Sequence, residues 1–160
     1  MISIVQFEER YTQDIVDLVL HFQNDGTRPI VTAEDQPDML NIREEYIQHG
    51  GNFWTATENG RLAGTIGIMP CGEDIAVLKK FFVYEKYQGA PVHLGQKLYA
   101  VFLDFAKKKG YKIILLDTPY NTVRAHRFYE KVGFKKIKES ELPVNFSHPY
   151  EECDFFILEL

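Results

Sequence analysis

Leu115-Leu116-Asp117-Thr118, followed by Ala125-His126-Arg127-Phe128-Tyr129-Glu130-Lys131-Val132-Gly133-Phe134, is the stretch whose reading decides the fold. Ala125, Phe128, Tyr129 and Val132 recur three and four apart, which predicts an amphipathic helix over Thr122 to Val132. Gly133 stops it, since glycine enters the left-handed conformation of a helix end without steric cost. Phe134 to Ile137 then begins a strand. Ahead of the helix, Lys112 to Leu116 is short and almost wholly apolar, as a strand covered on both faces should be.

Upstream, Leu94, Leu98, Val101, Phe102 and Phe105 share one face of a helix over Leu94 to Lys109, closed by Gly110. Lys107, Lys108 and Lys109 fall where cations complement the helix dipole. Ile75 to Tyr84 reads as a long strand. Phe53 to Thr57 and Leu62 to Met69 are two more, joined at Glu58-Asn59-Gly60, a strong hairpin signal. Tyr11 to Phe22 is a helix with Ile15, Leu18, Val19 and Phe22 on one face and Thr12 as N-cap. A loop over Asn24 to Asp38 leads to a second helix, about Asp38 to His49, stopped by Gly50-Gly51. Ile2 to Phe7 alternates as an edge strand. Cys153 to Leu160 is the final strand, after a loop around Leu142 to Tyr150.

The order β-α-α-β-β-β-α-β-α-β-β describes a mixed α/β sheet of about seven strands flanked by about four helices, with the helix after the long strand as a crossover. No repeat or linker interrupts it, so residues 1–160 read as one domain. Hydrophobic residues at 45% supply enough apolar material for a core and argue against disorder. A net charge of -5 with dispersed lysines argues against a nucleic-acid partner. Two cysteines, Cys71 and Cys153, are too few for a disulfide scaffold, lack metal-ligand spacing and point to a reduced, cytoplasmic compartment. Met1 to Val5 has no signal-peptide pattern, and no apolar run approaches a membrane span.

A strand, a glycine-bearing loop and a helix start follow one another from Phe81 to Leu98. The first amides of a helix have no internal partners and the dipole makes that end partly positive, so a pyrophosphate fits there if small residues admit it. Gly89 and Gly95 supply that access, and Pro91 suits a first helical position.

The run from Ala125 to Phe134 resembles the GNAT acetyltransferase superfamily, whose later core helix reads Asn-x-x-Ala-x-x-x-Tyr-x-x-x-Gly-Phe. Leu78-Lys79-Lys80-Phe81-Phe82-Val83 and Tyr87-Gln88-Gly89 are similar to that family's splayed strand and acyl-CoA loop. The resemblance implies a GNAT-type N-acyltransferase fold and an enzyme that moves acetyl from acetyl-CoA to a primary amine of a small molecule or peptide. Direct attack in a ternary complex is the implied route, and no cluster of residues suggests a metal. It implies cofactor contacts at Phe82, Val83, Gln88, Gly89, Leu94, Gly95, Gln96 and Thr122, and Tyr129 as general acid toward the leaving sulfur. Three departures stand out. Ala90 to His93 lengthens the loop, Thr122 takes the place of the family asparagine with Asn121 one residue away, and Val77 stands where a glutamate base is often found.

A backbone N–H near Phe82 or Val83 would stabilise the oxyanion, worth about 3 kcal/mol. Asp117 is the candidate base, with Glu85, Glu73 and Asp74 as weaker alternatives. Of the histidines, His93 lies in the cofactor loop, His126 on the solvated face of its helix and His148 in the late loop. Acceptor contacts are expected from Asn24 to Asp38, whose acidic residues would attract an ammonium group, and from Leu142 to Tyr150. Apolar edge strands are compatible with a homodimer. Two other readings stay open: an acyl-CoA sensor that kept the fold without turnover, and a nucleotide-binding α/β domain.

Overall fold

A computed structural model describes residues 1–160. Seven strands form one sheet: β1 (Ile2–Gln6), β2 (Asn52–Glu58), β3 (Arg61–Pro70), β4 (Ile75–Val83), β5 (Ile113–Pro119), β6 (Lys135–Ile137) and β7 (Cys153–Glu159). Their spatial order is β1-β2-β3-β4-β5-β7-β6. All pairs are antiparallel except β4–β5, whose parallel join requires a crossover, supplied by α2 (Leu94–Lys109). The other α-helices are α1 (Thr12–Gln23) and α3 (Val123–Lys131). The seven-stranded mixed sheet agrees with the sequence reading.

The local signals explain these elements. Asn59 and Gly60 both take positive φ (52° and 79°), the two-residue turn whose twist matches a hairpin, and β2 and β3 follow from it. Gly110 and Gly133 end α2 and α3 in the same way. Each donates its N–H three residues back, and the next residue donates five back: Tyr111 to Ala106 O at 3.1 Å, Phe134 to Tyr129 O at 2.9 Å. This hydrogen-bonded helix stop carries an apolar contact between its ends. In α3 that contact is Tyr129 on Phe134, ring centroids 5.6 Å apart. The Tyr-x-x-x-Gly-Phe spacing is thus a device that ends the helix and holds the tyrosine ring.

The two faces of the sheet differ. One carries α2 and α3 over a core that includes Leu94, Leu98, Phe102, Ile114, Leu116 and Phe156, all fully buried. Each such side chain contributes roughly 1.5–3 kcal/mol on leaving water. The other carries α1 and the segment after it, around Ile15, Leu18, Met39, Tyr46 and Phe53.

Several expectations are corrected. The predicted helix over Asp38 to His49 is instead a 3-10 turn (Pro37–Leu40) followed by a widened π turn (Arg43–Ile47). Tyr46 points inward there, with its hydroxyl donating to Asp38 Oδ2 at 2.5 Å, and the wider turn lets one residue reach both the core and that carboxylate. Thr12 does not cap α1: its hydroxyl donates back to Glu9 O at 2.9 Å, and Tyr11 holds the N-cap position. Pro91 lies in the loop, three residues before α2 begins at Leu94. The fifth strand runs on through Asp117 to Pro119, because β7 pairs with it over its whole length.

Candidate active site

β4 and β5 are paired only at Ile75–Ile113, Ala76–Ile114 and Val77–Leu115, then part. Beyond this fork β4 is bulged. Gly67 pairs with Lys79 and Thr65 with Phe82, so Ile66 alone opposes both Lys80 and Phe81, and Lys80 takes φ 51°. The bulge changes which residues share a face. Lys79, Lys80 and Phe82 turn toward the α1 side, where Phe82 stacks on Phe22 at 5.9 Å. Phe81 and Val83 turn toward α2 and α3, where Phe81 meets Phe128 at 5.6 Å.

The hydrogen-bond phase of β4 separates the two expected amide donors. Tyr84 N–H donates to Ala63 O at 3.0 Å, and the register puts Phe82 in the same phase, tied to β3. Val83 is out of phase, so its amide faces the gap. Its carbonyl accepts from Gln88 Nε2 at 2.8 Å, which secures the turn after the strand.

Past that turn, Gly89 takes φ 65° and His93 φ 51°, and α2 begins without a side-chain cap. The amides of Gly89, Ala90, Leu94, Gly95 and Gln96 have no protein acceptor. Gly95 has open space beside it, the nearest atom to an added Cβ being Phe81 Cζ at 3.7 Å, while Gly89 faces Arg124 Nη2 at 3.4 Å. Unsatisfied amides at a helix start with a guanidinium nearby suit a pyrophosphate.

Tyr129 is 6% exposed, packed against Phe81, Phe134 and Phe156. Burial, then the Asp117 carboxylate, then Tyr99 push its pKa well above the ordinary tyrosine value. Asp117 stands on the other arm of the fork and faces the opposite side of the sheet. Burial raises its pKa, partly offset by the charges of Lys79, His148 and Lys80. Thr122 closes the turn before α3: its hydroxyl is 2.7 Å from that of Thr118 and donates to Pro119 O at 2.8 Å. Asn121 bonds Arg28 Nη1 at 2.9 Å and Thr27 Oγ1 at 2.8 Å, tying the first loop down.

The family model for the acetyltransferase (GNAT) family matches residues 16–134. The chain belongs to the GNAT family. Its fold is shared nearly end to end with an acetyltransferase structure from Streptococcus agalactiae, TM-score 0.94 at 36% identity, covering 99% of this chain and 98% of that one. Among curated relatives, the probable N-acetyltransferase camello of Xenopus tropicalis is 33% identical over 109 residues, 66% of this chain and 49% of its own. The N-acetylaspartate synthetase of the same organism is 32% identical over 127 residues, 76% of this chain and 45% of its own. The chain spans about half the length of these relatives. A more distant structure, an acetyltransferase from Salmonella typhimurium with its cofactor acetyl-CoA, shares the fold at TM-score 0.70 and 16% identity, covering 99% and 93% of the two chains.

Set in the GNAT frame, Val77 is 1% exposed and holds the fork closed at its base. Glu85 is exposed, about 3.1 Å from His21 Nε2, and Asp74 pairs at the surface with Lys112. His126 is not on a solvated face: it is half-buried against Phe156, with Nε2 at 3.0 Å from Pro119 O. The acidic residues of the first loop are mostly engaged within the protein. Asp25 accepts from Thr27, Asp35 from the Thr32 amide, and Asp38 pairs with Lys80 at 3.3 Å.

Sequence reasoning passed over a buried polar chain on this face. Lys80 Nζ donates to Gln36 Oε1 at 3.0 Å, Gln36 and Gln23 exchange amide bonds at 2.6 and 3.0 Å, and Tyr150 donates to Gln23 O at 2.8 Å. The signal was two adjacent lysines in the middle of an otherwise apolar strand. No helix is long and apolar enough to cross a membrane, and no three His, Cys, Asp or Glu side chains converge as a metal ion would need.

Proposed function

We propose that this GNAT protein is an N-acetyltransferase that moves acetyl from acetyl-CoA to a primary amine of a small molecule or peptide in a ternary complex. The observation that carries the reading is the fork between β4 and β5, which leads directly to the unpaired amides at the start of α2. The cosubstrate supplies an activated acetyl thioester. Gly89, Leu94, Gly95 and Gln96 hold its phosphates through their amides, and Val83 meets the pantetheine arm with its free N–H. Phe82 contributes by packing, Gln88 by securing the Val83 carbonyl, and Thr122 by fixing the turn at the far wall.

Asp117 takes the proton of the incoming ammonium, for which a carboxylate with a raised pKa is a better base than an ordinary one. Tyr129 keeps its proton throughout the neutral range and offers its O–H to the departing sulfur. Assignment to small acceptors is supported by the N-acetylaspartate synthetase relative. Two unpaired cysteines fit a reducing, cytoplasmic setting. The exposed edge of β1, with Val5 41% exposed, would serve a homodimer. The test is thiol release from acetyl-CoA across a panel of amines. Tight acetyl-CoA binding with no thiol released from any amine would instead establish an acyl-CoA sensor.

A further inference from the structure

Lys79 and Asp117 occupy matching places on the two arms of the fork. Val77 and Leu115 are the last paired residues, and on each strand the next residue on the same face, two positions along, carries a charge. Their surroundings differ from those of the neighbouring pair. Lys80 is neutralised by Asp38 at 3.3 Å and hydrogen-bonded to Gln36. Lys79 is 9% exposed and donates a single hydrogen bond, to Ser147 O at 2.6 Å, with the Phe146 ring 5.9 Å from its Nζ. An ammonium has three donors, so two are left without a protein acceptor. No side chain donates to the Asp117 carboxylate and no ion pair joins it to Lys79, although the Lys79 charge acts on it.

A buried cation with idle donors is costly unless something meets it. Here the carbonyl of Ser147 holds it apart from the one free carboxylate nearby. Resting on the acetyltransferase reading above, we propose that the acceptor is a free α-amino acid or a close analogue, whose carboxylate is held by Lys79 while its amine is presented to Asp117. The two charges of the floor mirror the two charges of such a zwitterion. An amine without a carboxylate, or a peptide whose carboxylate lies many bonds away, leaves the Lys79 ammonium unmet. In the acidic loop that sequence alone suggested as an ammonium trap, Asp25, Asp35 and Asp38 are engaged within the protein, which favours Asp117 for that task.

The experiment compares thiol release from acetyl-CoA for free L-amino acids, their carboxamides and their decarboxylated amines, using the full chain. The best amino acid should exceed its own carboxamide and decarboxylated amine by about 100-fold in kcat/KM, since a site built for a charged group rejects the analogue lacking it. Lys79→Gln keeps a donor for Ser147 O. It should raise KM for the amino acid about 10- to 100-fold, far more than it alters the carboxamide, and Lys79→Arg should recover part of the loss. Equal or better turnover of the decarboxylated amine or of a peptide by the wild-type chain overturns the proposal and leaves the acetyltransferase reading standing. Lys79→Gln lowering both substrates equally does the same. Thiol release from no amine at all, with acetyl-CoA still bound, overturns the acetyltransferase reading itself.

Discussion

The two faces of the sheet are built by different rules. On the α2–α3 face the core is apolar and regular, and its decisive residues sit in short local patterns: a helix, a glycine stop, an aromatic after it. On the α1 face the chain folds through 3-10 and π turns around a buried polar chain running from Asp38 and Tyr46 through Lys80 and Gln36 to Gln23. On the proposed reading the regular face serves the cofactor, and the polar face tells one acceptor from another with buried charges, at the expense of stability.

The sharpest way to break this contrast is to remove one hydroxyl from the regular face. Tyr129→Phe should lower kcat by about 100- to 1000-fold with acetyl-CoA affinity nearly unchanged, measured by thiol release and by calorimetry. A loss confined to cofactor binding would make the ring a packing element. On the polar face, Asp117→Asn should lower kcat by about 100-fold yet raise the melting temperature.

The sign of that second effect follows from the raised pKa of Asp117. A carboxyl raised in the fold adds stability only below the unfolded value and loses it as pH climbs through the folded value. At neutral pH its charge is therefore a burden, which asparagine removes. The same shift places the acidic limb of the wild-type kcat/KM profile above the ordinary aspartate value, and that limb should vanish in the variant. A fall in melting temperature would mean that Asp117 serves the fold.

Asp38→Ala tests the polar chain itself. Leaving Lys80 buried without its partner should cost about 3 kcal/mol by urea unfolding, as broken buried pairs do. The smallest effect belongs to the cofactor loop. Gly89→Glu forces a side chain into φ 65° and sets a carboxylate beside Arg124, where the phosphates would lie. It should weaken acetyl-CoA binding by about 10-fold, read by calorimetry, and cost about 1 kcal/mol of stability for the left-handed backbone.

Much of the regular face was legible. Leu94 to Lys109 is the helix that its apolar spacing predicts, and Gly110 and Gly133 end their helices as expected. Tyr129 was singled out through the resemblance to the family motif, and its spacing to Gly133 and Phe134 proves to be a local structural device as well. Asp38 to His49 was misread because a helical period in sequence does not reveal that Tyr46 must turn inward to reach Asp38. His126 was misplaced for a similar reason: its partners, Pro119 and Phe156, come from β5 and β7.

Outside Asp38 to His49, the amino-acid order alone determined the succession of strands and helices, the helix stops and the hairpin turn, since each depends on residues within one or two turns of one another. Only the tertiary structure decided that Lys79 and Lys80 share a face and that Lys79 stands across a fork from Asp117. Those facts depend on where β4 bulges against β3 and where it parts from β5. A slip of one residue in such a register moves every following side chain to the other face. Register is settled by the packing of both faces together, so no window of neighbouring residues contains it.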